Sequence, residues 1–227
     1  MAIACSIASN GQVVLNDANG RVWNGSAQLV LRGGAQSQSV VALPGRVSWQ
    51  VRPVGLGLNL QLTAACCMAQ PLVSRLSLGW NRLGWQINDH QSEWPAGLLA
   101  GLGTPWNTVL AQGNLALNVT GLSVEWSQGR SAMEGRLQMD ALEMTSSLST
   151  LKPMGSYRLT LYGGSVNTLK LETLQGSLQL AGAGQWVGGR LRFEGEASAA
   201  PERQEALANL LNIIGRRDGA RSVIKLG

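Results

Sequence analysis

Apolar and polar residues alternate with a period of two along most of the chain. Successive side chains of a strand point to opposite faces, so each alternating run predicts a strand with one buried face. The main runs are Val47, Trp49 and Val51; Leu56, Leu58, Leu60 and Leu62; Leu76, Leu78 and Trp80; Leu115, Leu117 and Val119; and Leu122, Val124 and Trp126. Glycines separate the runs at turn-like positions. The pattern predicts a mainly β protein of about a dozen short strands, arranged as an antiparallel curved sheet, a sandwich or a partly open barrel.

Two segments break the alternation and predict helices. The first is a short helix near 95–102, where Pro95 suits the first turn and Gly103 is placed to end it. The second is a C-terminal helix near 201–214, which begins at Pro201. Its apolar stripe consists of Leu207, Leu210, Leu211 and Ile214. Such a stripe most often docks on the parent sheet, and a partner or membrane surface is the alternative.

The step Trp23-Asn24-Gly25 returns near the other end of the chain as Trp186-Val187-Gly188. We interpret both steps as one structural unit, in which the tryptophan packs on a sheet face and the glycine two residues later leaves room for it or forms a bulge. A ligand site is the alternative. If Trp23 is buried in this way, its replacement by alanine is expected to cost about 3–5 kcal/mol.

Tryptophan is unusually abundant, with eight residues against one phenylalanine. The alternating pattern predicts burial for three of them, Trp49, Trp80 and Trp126. Three others lie near predicted loops and are candidates for lining a groove: Trp85, Trp94 and Trp106.

The composition fits one folded domain with a weakly charged surface. Hydrophobic residues make up 44% of the 227 residues, whereas charged residues make up only 14%. All-β units of this length commonly form a single domain, so we expect one domain over residues 1–227. The net charge of +5 is spread thinly. It indicates a mild attraction to anionic lipid head groups or acidic partners, and no nucleic-acid partner is expected because basic runs are absent.

Residues that usually carry catalysis or bind metals are few. His90 is the single histidine, and the three cysteines form no C-x-x-C motif, so we expect no metal site, no cofactor and no enzyme activity. His90 lies in the polar segment NDHQSEW and is expected to be solvated. Because adjacent cysteines rarely bond to each other, Cys5, Cys66 and Cys67 are expected to be free thiols, with one long-range bridge from Cys5 as the alternative.

Several segments, in order, resemble one protein family. They are GRVWNGSAQLVL near the start, LPGRVSWQVRP at 43–53, SSLSTLKPMGSYRLTL at 146–161, TLQGSLQLAGAGQW at 173–186 and LANLLNIIGRRDGARSVIKLG at the end. Together they resemble protein N of the type II secretion system, a component of the general secretory pathway of Gram-negative bacteria. Besides the two W-x-G steps, we expect these residues to form its structural motif: Trp49, Ser149, Pro153, Gly155, Tyr157 and Gly176.

The resemblance implies a non-catalytic accessory component that supports assembly or function of the secretion machine. It also implies an inner-membrane protein with one transmembrane helix and a periplasmic domain, and since this sequence lacks such a helix we expect it to be the periplasmic domain. The expected partners are inner-membrane platform proteins, with the secretin as a further candidate. The residues expected to contact a partner are Ile213, Ile214, Arg216 and Arg217. A more distant similarity to AsmA-like envelope proteins leaves a lipid-binding or lipid-carrier domain with an apolar trough as the alternative.

Overall fold

The protein folds into one large antiparallel sheet. The computed structural model describes residues 12–33, 40–104 and 106–227, and sixteen strands within them form one open sheet. The strands are β1 (Val13–Arg21), β2 (Asn24–Arg32), β3 (Val40–Ala42), β4 (Val47–Val54), β5 (Gly57–Ala64), β6 (Leu72–Gly79), β7 (Arg82–Ile87), β8 (His90–Pro95), β9 (Gln112–Ser127), β10 (Arg130–Thr145), β11 (Gly155–Gly164), β12 (Thr168–Gly176), β13 (Leu178–Val187), β14 (Arg190–Ala199), β15 (Arg216–Asp218) and β16 (Arg221–Leu226). The sequence predicted fewer strands because β3, β8 and β15 are short or mostly polar and show no apolar alternation.

Strand order follows chain order almost throughout. The order is β1-β2-β4-β5-β6-β7-β9-β10-β11-β12-β13-β14-β16-β15, while β3 pairs with β2 and β8 pairs with β9. Neighbouring strands are antiparallel, as expected for hairpins joined by short turns. The predicted mainly β, antiparallel class is confirmed. The sheet is open, because β1 and β15 are its two ends and do not pair with each other in the described part of the chain.

The two faces of the sheet differ in polarity. Residues paired across neighbouring strands share a face, and Trp49 lies opposite Leu62, which in turn lies opposite Leu72. The same apolar face continues on later strands through Leu117, Met139, Leu159 and Leu171. The opposite face pairs polar residues, including Gln50 with Gln61, Asn118 with Gln138, and Arg158 with Glu172. The register therefore gives the sheet one apolar face and one polar face.

Six hairpins turn at the same end of the sheet, which we call the tip end. They are β1–β2, β4–β5, β6–β7, β9–β10, β11–β12 and β13–β14, and their turns fall together because neighbouring strands alternate in direction. The turns contain residues 22–23, 55–56, 80–81, 128–129, 165–167 and 188–189. The helices and the loops 65–71 and 146–154 lie at the opposite end, which we call the covered end.

Both predicted helices are present at the covered end. The first is a 3-10 helix over Ala96–Leu102, directly after Pro95, and a single α-helical turn over Trp106–Val109 follows it. The C-terminal helix starts with a 3-10 turn over Pro201–Arg203 and continues as an α-helix over Gln204–Ile214. Pro201 lies in the first turn, where its fixed φ fits and its missing N–H needs no partner, whereas Pro95 ends β8 and precedes the first turn of its helix in an extended conformation.

The main core lies between the C-terminal helix and the apolar face. Leu207, Leu210 and Leu211 are at most 1% exposed, which confirms that the stripe docks on the sheet. They pack with Leu115, Met144, Tyr157, Leu178 and Ala197 from five different strands. A second cluster contains Leu43, Val47, Ala64, Cys67 and Leu98. Since each buried leucine contributes about 1.5–3 kcal/mol, these two clusters make the covered end the main source of apolar stabilisation.

Candidate interaction surfaces

The two W-x-G steps do not form one repeated unit. Trp23 lies in the β1–β2 turn and is 53% exposed, so the expected burial of its side chain is wrong. Gly25 lies opposite Trp49, and a Cβ at Gly25 would come within 2.6 Å of that indole ring. Gly25 therefore leaves room for Trp49, which is 6% exposed. At the second step the positions are reversed, since Trp186 is half-buried in β13 and Gly188, with a φ of 58°, lies in the turn.

The alternating pattern alone does not decide which of the other tryptophans are buried. Burial is confirmed for Trp49, whereas Trp80 is fully exposed in a turn and Trp126 is 40% exposed at the tip end, beyond the helices. The predicted groove is not formed by the three remaining side chains. Trp85 pairs with Val124 and Trp94 with Leu115, and the nine residue steps of β9 from Leu115 to Val124 correspond to about 30 Å. Trp94 packs into the core, and Trp106 lies at the covered end.

The family-like segment 146–161 forms a buried corner at the covered end. Ser149 is 6% exposed, and its Oγ accepts a hydrogen bond from the N–H of Leu151 at 3.1 Å. Gly155 and Gly176 face each other across β11 and β12. A Cβ at Gly176 would collide with the Cα of Gly155, so the two backbones need glycine to approach this closely. Pro153 follows a cis peptide bond and is exposed.

Two buried ionisable side chains lack hydrogen-bond partners among the described residues, at His90 Nε2 and the Tyr157 hydroxyl. His90 is 6% exposed, so its expected solvation is wrong; it starts β8 opposite Val119 on the apolar face. Burial lowers the pKa of His90 and raises the pKa of Tyr157 well above its usual value. Neither side chain is paired with a carboxylate or a nucleophile, so the described residues contain no triad around His90.

Cys66 and Cys67 form a disulfide with each other, which corrects both cysteine predictions for this pair. The two residues lie in a turn after β5, where the N–H groups of Cys67 and Met68 both donate to the carbonyl of Ala64. In a strand, consecutive side chains point to opposite faces, whereas the turn brings the two sulfur atoms together. Cys5 lies outside the described residues.

The C-terminal corner is the first exposed surface, which we define by Ile213, Arg216, Arg217 and the outer side of Ile224–Leu226. Ile213 is 39% exposed, and the two arginines are exposed on β15 without an ion-pair partner among the described residues. β15 covers β16 only as far as Val223. Ile214 packs against the main core, so it is separated from the rest of the expected contact set.

The tip end is the second exposed surface. Trp80 is fully exposed and Leu56 is 81% exposed, and Val22, Trp23 and Leu78 are all more than half exposed. Five of the six hairpins carry an arginine within three residues of the turn: Arg21, Arg52, Arg82, Arg130 and Arg190. Within three residues of these five turns the sequence has one acidic residue, Glu125, which is ion-paired with Arg82. The sequence analysis missed this surface because its residues are far apart in the chain. A signal was present, since an arginine recurs near a glycine and a tryptophan, valine or leucine at several turns.

Between the two ends, the apolar face has no cover within the described residues. Its leucines remain partly exposed at Leu58, Leu60, Leu76, Leu161 and Leu169. A recess of 1180 Å³ lies over β12–β14, and its apolar lining includes Leu169, Leu171 and Phe193. This face is the third surface that a ligand or partner could occupy.

Metal and membrane-spanning features are not found in the described ranges. No three His, Cys, Asp or Glu residues there lie close enough to hold a metal ion. No helix in the same ranges is both long and apolar enough to cross a membrane.

Comparison with known proteins identifies a family. Residues 11–224 match the family model of the type II secretion system (T2SS), protein N. The chain matches no curated protein and no solved structure. Because the family match covers nearly the whole chain, it confirms the resemblance carried by the five sequence segments. The chain therefore belongs to the type II secretion system protein N family and is a non-catalytic accessory component of that export machinery.

Proposed function

We propose that this protein is a single periplasmic domain, anchored at the inner membrane, that binds the secretion machinery through its C-terminal corner. The partner is an inner-membrane platform protein, with the secretin as the next candidate. Family membership supports a partner within the secretion machinery. The corner supports the contact because it combines an exposed isoleucine, an incompletely paired strand and two arginines that have no ion-pair partner among the described residues.

The observation that carries this proposal is the partial cover of β16. Only Arg221, Ser222 and Val223 pair with β15, which leaves the outer side of Ile224–Leu226 without a partner strand in the described residues. An exposed strand edge offers N–H and C=O groups to another chain, and strand addition is a common way of binding an extended peptide. Arg216 and Arg217 beside this edge favour an acidic partner segment.

The Cys66–Cys67 disulfide supports a periplasmic location, because disulfides persist in oxidising compartments. The proposal predicts that the full-length protein fractionates with the inner membrane. It also predicts that neither cysteine is alkylated when intact cells are treated without a reductant. Fractionation of the full-length protein with the cytosol would contradict this part of the proposal.

Site-specific photo-crosslinking in secreting cells tests the contact. A photoreactive residue at Ile213 or Arg217 is expected to give an adduct with a platform protein, whereas the same residue at Arg190, an exposed arginine at the tip end, is expected to give none. The double change Ile213→Asp and Arg217→Glu should reduce secretion while the protein level stays constant. Equal adducts from Arg190 and Arg217, or full secretion by the double variant, would contradict a contact at the corner.

A lipid-binding function is the second candidate, and the uncovered apolar face favours it. An acyl chain lying along Leu60, Leu76 and Leu161 would remove apolar surface from water at about 25 cal/mol per Å². Native mass spectrometry of the gently purified protein is expected to show a phospholipid at fixed stoichiometry. Leu60→Gln with Leu161→Gln should abolish it, while Gln50→Ser on the polar face should not. If the purified protein carries no lipid, the lipid-binding function is contradicted and the contact at the C-terminal corner is the remaining proposal.

A further inference from the structure

We infer that the tip end docks on the surface of an anionic phospholipid bilayer. Its arginines meet the lipid phosphates, and its tryptophan, leucine and valine side chains enter the interfacial layer. This inference concerns the opposite end of the sheet from the helices and does not rest on the proposed contact at the C-terminal corner.

The tips form one continuous surface because consecutive hairpins are hydrogen-bonded to each other. The N–H of Val51 donates to the carbonyl of Trp23 at 2.7 Å, which joins the first two hairpins, and the N–H of Leu78 donates to the carbonyl of Leu56 at 2.9 Å, which joins the next two. Arg82 pairs with Ser127 and so joins the third hairpin to the fourth. Two strands separate consecutive tips, which corresponds to about 10 Å.

The charge of this surface is mainly positive. Arg21, Arg52, Arg130 and Arg190 form neither an ion pair nor a side-chain hydrogen bond with any residue in the described ranges. Only Arg82 has a carboxylate partner, Glu125 at 3.2 Å. Elsewhere on the sheet, Arg46, Arg158 and Arg221 have carboxylate partners, whereas other exposed arginines of the described ranges, such as Arg32 and Arg136, have none. An unpaired row of arginines attracts anionic groups, and about 10 Å between tips is close to the Debye length at 0.1 M salt.

Apolar side chains continue from the turns onto the apolar face. Leu78 pairs with Leu83, and Leu83 pairs with Trp126, so three apolar residues lie in a row directly below the turns of two neighbouring hairpins. A recess of 500 Å³ between these hairpins is lined by Trp126 and by Arg82 and Arg130. Cationic and aromatic groups therefore converge on one space that suits a lipid phosphate and its glycerol backbone.

An anionic bilayer accounts for this mixture better than a nucleic acid does. Tryptophan is enriched at membrane interfaces because its ring is apolar and its N–H is polar, and arginine can keep its guanidinium at the head groups while its stem lies in the apolar layer. A nucleic-acid surface would need a longer basic track and would leave the exposed leucines and valines unused. Exposed apolar patches of this kind usually mark a binding surface.

Co-sedimentation with vesicles tests the inference, using phosphatidylcholine alone and phosphatidylcholine with phosphatidylglycerol. The tip variant carries Arg52→Ser, Arg82→Ser and Arg130→Ser. Its matched control carries Lys152→Ser, Arg216→Ser and Arg217→Ser, which removes the same charge from exposed residues at the covered end and the C-terminal corner. An apolar pair, Leu56→Ser with Trp80→Ser, is compared with Trp106→Ser, since Trp106 is 42% exposed at the covered end. Melting temperatures confirm that all variants are folded.

The wild-type protein is expected to bind vesicles that contain phosphatidylglycerol and to lose binding as salt is raised. Each arginine near an anionic surface changes binding about fivefold, so the tip variant should bind about a hundredfold more weakly, while its matched control changes far less. The apolar pair should also weaken binding, and Trp106→Ser should not. The inference would be overturned if the wild-type protein did not bind these vesicles, or if the two charge variants lost binding equally. It would also be overturned if the tips bound a protein partner and no vesicles. None of these results would affect photo-crosslinking at the corner.

Discussion

The covered end and the tip end of the sheet use the same kinds of residue for opposite purposes. At the covered end, Leu207, Leu210 and Leu211 pack against the apolar face and are at most 1% exposed. At the tip end, Leu56, Leu78 and Trp80 stand in solvent. The strands that join the two ends are continuous, so alternation within a strand cannot distinguish them. What differs is whether another element covers the apolar face. The covered end therefore supplies most of the stability, and the tip end supplies a surface for binding.

The largest expected effect compares two tryptophans. Trp49→Ala should lower the free energy of unfolding by about 3–5 kcal/mol because it removes a buried ring and leaves a cavity beside Gly25. Trp80→Ala should change it by less than about 0.5 kcal/mol because that ring touches only solvent. Chemical denaturation monitored by circular dichroism measures both values. Similar losses of unfolding free energy in the two variants would show that the Trp80 ring is packed in solution, and this would contradict the difference between the two ends.

The C-terminal helix gives the next comparison. Leu211→Ala should destabilise the protein by about 2–5 kcal/mol, since Leu211 is 1% exposed in the main core. Ile213→Ala, two residues later on the exposed side of the same helix, should cost under about 1 kcal/mol. Thermal unfolding of the two variants side by side provides the measurement. A larger loss for Ile213→Ala would mean that the exposed side of the helix is itself covered.

The polar face should give a smaller, pH-dependent effect through Asp140. Arg158 donates to both carboxylate oxygens of Asp140, at 2.8 and 2.7 Å, and this hydrogen bonding lowers the pKa of Asp140 below its ordinary value of 3.8. A depressed folded-state pKa stabilises the fold above the ordinary value, and this contribution is lost as pH falls through the lower folded-state value. Asp140→Asn should cost under about 1 kcal/mol near neutral pH, and its difference from wild type should shrink at strongly acidic pH. A difference that grows on acidification would contradict the assigned sign.

Reduction of the Cys66–Cys67 disulfide should have the smallest effect. The bond closes the shortest possible loop, so by the chain-entropy relation it contributes only about 1 kcal/mol. Melting temperatures with and without a thiol reductant should therefore differ by a few degrees, with binding at the tip end unchanged. Cooperative unfolding on reduction would show that the turn after β5 holds the covered end together.

The sequence predicted the strands and helices that depend on local pattern. It missed the exposure of side chains, which depends on what packs above the sheet and on the strand order. Alternation and glycine spacing identified most strands, and the proline starts with the leucine stripe identified both helices. Trp80 and Trp126 continue the alternating pattern to the tip end, where no helix of the described ranges covers them, so their predicted burial was wrong. His90 was misplaced for the opposite reason, because a polar segment became the start of a strand that faces inward.

The candidate surfaces were predictable only in part. Ile213, Arg216 and Arg217 were named because they follow a recognisable helix, although the inward turn of Ile214 needed the packing of the core. The sequence alone could not predict that the tip arginines lie on one surface. Arg21 and Arg130 are far apart in sequence and lie on one surface only because the meander places every second connection at the same end.

Hydrogen–deuterium exchange along the chain, with and without vesicles containing phosphatidylglycerol, tests the division between the two ends most directly. Without vesicles, residues 204–214 should exchange slowly and the tip segments 52–57, 78–82 and 126–130 rapidly, because buried helical hydrogen bonds open rarely while turns are solvated. Vesicles should slow exchange in the three tip segments and leave residues 204–214 unchanged. Protection that appears at residues 204–214 with the tip segments unchanged would contradict the account.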